Sequence, residues 1–162
     1  MEIKAPFDQH RSTVLPEWID YNGHMNVAYY VLAFDHATDA FLDYIGLDQD
    51  YRSKTGGSTF AVESFVTYQR EVTEGAPLRF TTQLLACDAK RLRFFHRMFH
   101  ATEGYLAATS EWLILHVDLN ARRVSPMPTA VQERLAAIME QHCILEIPDE
   151  AGRAVHGLDL MR

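Results

Sequence analysis

The chain has 162 residues, 48% hydrophobic, 23% charged and 11% aromatic, with 22 acidic against 15 basic side chains and a formal charge of −7. That is length enough for one self-sufficient domain, residues 1–162, and a balance that excludes a disordered or fibrous chain, while the excess of acid argues against a general nucleic-acid binder. No stretch approaches the roughly 18 apolar residues of a membrane span, the start is charged where a signal peptide is apolar, and two unmotifed cysteines, Cys87 and Cys143, suit a reducing cytoplasm.

In chain order, His10 to Leu15 reads as a short strand. Val27 to Ile45 carries Tyr30, Phe34, Ala37, Phe41, Tyr44 and Ile45 at helical spacing, with Asn26 as N-cap and Gly46 as the stop. Asp35, Asp39 and Asp43 make a narrow polar stripe on it, and most of the remaining circumference is apolar, which predicts a helix buried nearly all round. From Ser58 the pattern turns to strands: Thr59 to Val72, then Leu78 to Cys87 after a Gly75-Ala76-Pro77 turn, then Arg91 to Thr102 and Leu106 to Asp118 around a Glu103-Gly104 hairpin. Pro128 opens an amphipathic run through Val131, Leu135, Ile138 and Met139, a C-terminal helix followed by a tail from Ile147 whose Pro148, Gly152 and Gly157 oppose a long helix. One apolar helix with one antiparallel sheet to cover it predicts an α+β layer structure, the sheet curled about the helix.

The common nucleophile and nucleotide motifs are absent: no Gly-x-Ser-x-Gly, Walker loop, Gly-x-Gly-x-x-Gly or Cys-x-x-Cys. His96 and His100 stand four apart in a strand-like run with no third metal ligand at helpful spacing, so they read as a half-buried pair and no metal is expected. The segment Asp20-Tyr21-Asn22-Gly23-His24-Met25-Asn26 differs. It sets a carboxylate, an amide, an imidazole and a second amide on alternate positions directly before the helix. The first turn of that helix offers unpaired N–H groups at Val27 and Ala28 and the positive end of the dipole, an arrangement that stabilises an oxyanion. An ordinary capped turn would use the same residue types. Elsewhere, Lys90, Arg91, Arg93 and Arg97 make a local basic cluster on an acidic chain, open to a small polyanion or simply to solvent.

Asp-x-Asn-Gly-His-Met-Asn followed by Tyr-Tyr and a long helix resembles the hotdog-fold thioesterases, of the 4-hydroxybenzoyl-CoA thioesterase type and the plant acyl-ACP type, from Phe7 to about Pro128. The resemblance implies a hotdog fold, catalysis by Asp20 as nucleophile or as base toward water, and an oxyanion donor at the Val27 amide or its neighbour. It also implies catalytic or orienting roles for Asn22 and His24, and for Glu71 in Tyr68-Gln69-Arg70-Glu71. Strand alternation opposes the last, placing Glu71 with Glu63, Thr67 and Gln69 and away from the apolar face of Val62, Val66, Tyr68 and Val72, unless a bulge or the partner subunit re-aims it. It implies a homodimer or a dimer of dimers with the site at the junction, and no cofactor, coenzyme A being part of the substrate.

The segments Asp88 to His96, Ala108 to Glu111 and His116 to Asp118 resemble most the bacterial betainyl-CoA thioesterases of carnitine breakdown. That implies hydrolysis of betainyl-CoA to glycine betaine. Lys90, Arg91 and Arg93 would then anchor the CoA phosphates, and aromatics such as Trp18, Tyr21, Tyr29, Tyr30, Tyr68 and Trp112 could cage the trimethylammonium group. The alternatives are a thioesterase for another short, aromatic or medium-chain acyl-CoA or acyl-ACP, and a non-catalytic acyl-CoA binding domain. A hotdog dehydratase is disfavoured because no His-x-Pro-Gly-like string occurs.

Overall fold

The computed structural model describes residues 3–153. In order these form β1 (Arg11–Thr13), a short 3-10 turn (Pro16–Trp18), α1 (Val27–Ile45), α2 (Gln49–Thr55), β2 (Gly57–Tyr68), β3 (Pro77–Cys87), β4 (Arg91–His100), β5 (Leu106–Asp118), β6 (Arg123–Val124) and α3 (Thr129–His142). The strands make one antiparallel sheet in the order β1-β3-β4-β5-β2, with the two-residue β6 beside β5.

Helix α1 follows its periodicity from end to end. The Asn26 side chain accepts from the Ala28 N–H, and Gly46 closes the helix with φ +93°, a left-handed conformation that favours glycine. One face, built from Tyr30, Ala33, Phe34, Ala37, Thr38, Phe41, Leu42 and Ile45, is buried against the sheet. Phe34 meets Phe80 edge to face at 5.9 Å, and Phe41 lies 5.8 Å from Phe94. The expectation of burial nearly all round fails for the single chain. The sheet lies against one side only, leaving Val27 58% exposed and Val31 and Leu32 also in solvent.

His96 ties the layers together. Its Nε2–H donates to Thr38 Oγ1 on α1 (2.9 Å), whose own hydroxyl hydrogen goes to the Phe34 carbonyl (3.0 Å), and its Nδ1 accepts from Thr82 Oγ1 on β3 (2.9 Å). The ring stacks on Phe34 at 5.8 Å and is fully buried. With both nitrogens occupied by neutral groups the imidazole has no place for a second proton, and burial, with a smaller push from His10, drives its pKa from 6.5 to about 3.

At the other edge of the sheet, His142 of α3 accepts the Leu84 N–H (2.8 Å) and donates to the Lys4 carbonyl (2.9 Å), covering part of β3 that β1 is too short to pair. The segment after α3 then crosses the outer face of the sheet. Gln83 Nε2 donates to the Glu146 carbonyl and the Gly152 N–H donates to Glu111, with Phe95, the strand neighbour of both Gln83 and Glu111, buried beneath. The tail beyond residue 153 lies outside the described residues. No helix among the described residues is long and apolar enough to cross a membrane.

The unfolded chain protonates His96 near 6.5 and the folded chain does not, so acid favours unfolding. The contribution is complete above pH 6.5 and is lost as pH falls from there toward 3, at up to about 1.4 kcal/mol per pH unit. Urea unfolding at pH 7.5 and 5.5 should show the wild type losing more stability than His96→Gln, although the variant is the less stable protein at neutral pH. Equal losses in the two proteins would contradict this assignment.

Candidate active site

The segment ahead of α1 is a tight hairpin. The Asp20 N–H donates to the His24 carbonyl and the Gly23 N–H to the Asp20 carbonyl, both at 3.0 Å, and Gly23 takes φ +77°. The hairpin is held at its base by two bonds, from the Met25 N–H to the Val72 carbonyl (2.9 Å) and from the Asn26 N–H to the Trp18 carbonyl (2.8 Å). The start of the helix is thereby clamped to the chain leaving β2 on one side and to the 3-10 turn on the other.

This clamp brings the motif residues together. Asp20, Asn22, His24, Met25, Val27, Tyr30, Tyr68, Gln69, Arg70 and Glu71 line one open cleft of about 310 Å³. Asp20 is half-buried, and its Oδ1 accepts the Asn22 N–H at 2.8 Å, which fixes the carboxylate and leaves Oδ2 facing no donor among the described residues. Asn22 thus acts on Asp20 through its backbone. At the helix start the two candidate donors separate. The Ala28 N–H is taken by the Asn26 side chain at 3.0 Å, whereas the Val27 N–H has no acceptor among the described residues. Val27 is therefore the donor available to an oxyanion.

Glu71 does reach this cleft. The alternation that would turn it away ends early, because β2 stops at Tyr68 and the N–H groups of Gln69 and Arg70 both donate to the Ala107 carbonyl (2.8 and 3.0 Å). Two consecutive residues bonded to one acceptor break the period of two, as a bulge does. Arg70, not singled out by the sequence reasoning although it lies in the same four-residue string, lines the cleft too, with its guanidinium 3.9 Å over the Tyr105 ring.

Tyr30 and Tyr68 meet edge to face at 5.2 Å, Tyr30 buried and Tyr68 50% exposed. Burial raises the pKa of the Tyr30 hydroxyl, a backbone hydrogen bond from Val72 pulls it back, and the nearby Tyr105 and Glu71 add to the rise. Burial alone raises that of Tyr68. Both phenols stay neutral at physiological pH. Trp18 does not line the cleft: its ring stacks on Tyr29 at 5.5 Å and 12°, and its carbonyl holds Asn26.

Lys90, Arg91 and Arg93 are not brought to this cleft. Arg91 sits opposite Leu115 on β5 while Tyr68 sits opposite Ala108, which places them roughly 23 Å apart along the strand at about 3.3 Å per residue. Two of the cluster are also neutralised, Arg91 by Asp88 (2.6 Å) and Arg93 by Glu111 (2.5 Å). Arg93 lines a larger cleft of about 550 Å³ on the outer face with Glu63, Phe65, Glu111 and Arg153. Size alone does not mark that cleft as the site, because no helix N-terminus opens onto it.

Residues 14–135 match the model of the thioesterase-like superfamily. The chain is 41% identical, over 90% of its length and 92% of the relative's, to the betainyl-CoA thioesterase of Pseudomonas aeruginosa. A solved structure from Pseudomonas putida with a provisional thioesterase name has 36% identity and a TM-score of 0.83, covering 96% of this chain and 99% of that one. A Staphylococcus aureus protein solved in complex with CoA has the same fold at 24% identity, with a TM-score of 0.87 over 98% of this chain and all of that one. The curled antiparallel sheet packed on α1, the motif at the start of that helix and these likenesses agree: the chain belongs to the thioesterase-like superfamily and has its hotdog fold.

Proposed function

We propose that this protein hydrolyses betainyl-CoA to glycine betaine and CoA, in the cleft at the start of α1. The observation that carries the chemistry is the pairing, in one cleft, of an Asp20 carboxylate oxygen without a donor and a Val27 N–H without an acceptor among the described residues. The reading of the acyl group rests on the 41% identity to a protein of that activity.

The thioester carbonyl sits over the first turn of α1, its oxygen receiving the Val27 N–H and the positive end of the helix dipole. Asp20 delivers the attack, directly or by taking a proton from water, held in position by Asn22. A carboxylate is a weak base at neutral pH, so positioning supplies much of the rate. Collapse of the tetrahedral intermediate expels the thiolate of CoA, a good leaving group that needs little acid assistance; on the direct route a water then cleaves the anhydride left on Asp20, releasing glycine betaine and restoring the carboxylate. His24 lines the cleft and its carbonyl accepts the Asp20 N–H, so it shapes the turn that presents the carboxylate.

We further propose that the working form is a homodimer joined through β2. This strand is 12 residues long, lies at the edge of the sheet, and is exposed on both faces over much of its length, with Phe60, Val62 and Tyr68 about half in solvent. A long, flat, partly apolar edge is a template for strand pairing, and a second copy of the same strand satisfies it. Pairing there would add the partner's surface to a cleft that in one chain is open and that the exposed Val27 lines.

Asp20→Asn should lower kcat for betainyl-CoA by roughly 10²- to 10⁴-fold with an unchanged circular dichroism spectrum; a turnover within a factor of about two of wild type moves the chemistry to another group. Sedimentation at assay concentrations should give a species of at least twice 18.6 kDa, and Val66→Pro should shift it toward monomer with loss of activity. An active monomer would refute the dimeric site.

A further inference from the structure

We propose that Glu71 selects the acyl group: its carboxylate and the ring of Tyr68 together hold a quaternary ammonium placed one methylene from the thioester carbonyl. This rests on the betainyl-CoA reading and assigns to this chain the residues that recognise the cation.

In a betainyl thioester the carbonyl carbon and the nitrogen are two bonds apart, roughly 2.5 Å. A carbonyl placed for attack by Asp20 therefore puts the cation inside the same cleft, and whatever recognises it must line that cleft. A quaternary ammonium donates no hydrogen bond, so it is read only by charge and by aromatic surface. The cleft supplies both. Tyr68 is half exposed and braced edge to face by the buried Tyr30. The Glu71 side chain is exposed and makes no ion pair or hydrogen bond among the described residues; its backbone carbonyl alone is engaged, by the Tyr105 hydroxyl at 3.1 Å.

The charges in the cleft favour a cation there. Asp20 and Glu71 place two carboxylates in one small volume, which repel each other and disfavour an anionic or uncharged acyl group relative to a cationic one. The positive charge in the lining, Arg70, is drawn over the Tyr105 ring at 3.9 Å. For the chemical step Asp20 already supplies a fixed carboxylate beside the Val27 N–H, so hydrolysis does not require Glu71 as a second base.

The test uses two esters of one shape: betainyl-CoA and 3,3-dimethylbutyryl-CoA, in which carbon replaces nitrogen and the charge is lost. Wild type should prefer betainyl-CoA. Glu71→Gln should reduce the ratio of kcat/KM between the charged and neutral esters at least about tenfold, chiefly through a raised KM for betainyl-CoA. Tyr68→Leu should reduce the same ratio and Tyr68→Phe should keep it. A Glu71→Gln enzyme that loses kcat equally on both esters, or that keeps the wild-type ratio, overturns the proposal. A wild type that treats the two esters alike overturns the substrate reading beneath it, and that result is seen before any substitution is made.

Discussion

The site depends on where helix α1 begins. Two backbone hydrogen bonds decide this, Met25 N–H to Val72 and Asn26 N–H to Trp18, and they act with the Asn26 cap that takes the Ala28 N–H. A helix that started one residue later would turn the Val27 amide away from the cleft and release the Asp20 hairpin from the chain after β2. Because Val72 is itself buried, the clamp is anchored in the core. The hairpin can therefore hold a carboxylate and the Val27 amide in a fixed relation.

The core below serves the same end. Phe34, Phe41, Phe80 and Phe94 fix α1 across the sheet, and His96 fixes it along the sheet by bonding one nitrogen to α1 and the other to β3. Hydrophobic contact alone would let the helix slide. A buried imidazole with both nitrogens committed sets a register, at the cost of stability in acid.

Much of this was legible in the sequence. The 3.6-residue period of α1, its cap and its stop were plain, and so were the long strands, because each run is long and strongly patterned. The alternation of charge and amide from Asp20 to Asn26 marked the candidate site, and Asp20, Asn22 and His24 do line one cleft. What escaped was set by tertiary contacts. Alternation opposed the place at the site that the resemblance implied for Glu71, because nothing local announces that Gln69 and Arg70 share the Ala107 carbonyl. The short α2 and β6 are too brief to carry a period. The basic residues at 90 to 93 look like a strong field along the chain, yet Asp88 and Glu111 neutralise two of them, and sequence distance could not show that they lie a strand's length from the cleft. Helix α1 read as buried nearly all round because Val27, Val31 and Leu32 are apolar, whereas in the single chain they face outward.

The central claim is that the Val27 amide and the Asp20 carboxylate flank the reacting carbonyl. It is tested most directly by a crystal structure with a ketone analogue of betainyl-CoA, in which a methylene replaces the thioester sulfur and hydrolysis cannot occur. The account predicts the carbonyl oxygen at about 3 Å from the Val27 nitrogen, with Asp20 Oδ2 facing the carbonyl carbon directly or through one water. A carbonyl bound away from the start of α1, with Asp20 turned to solvent, would contradict it.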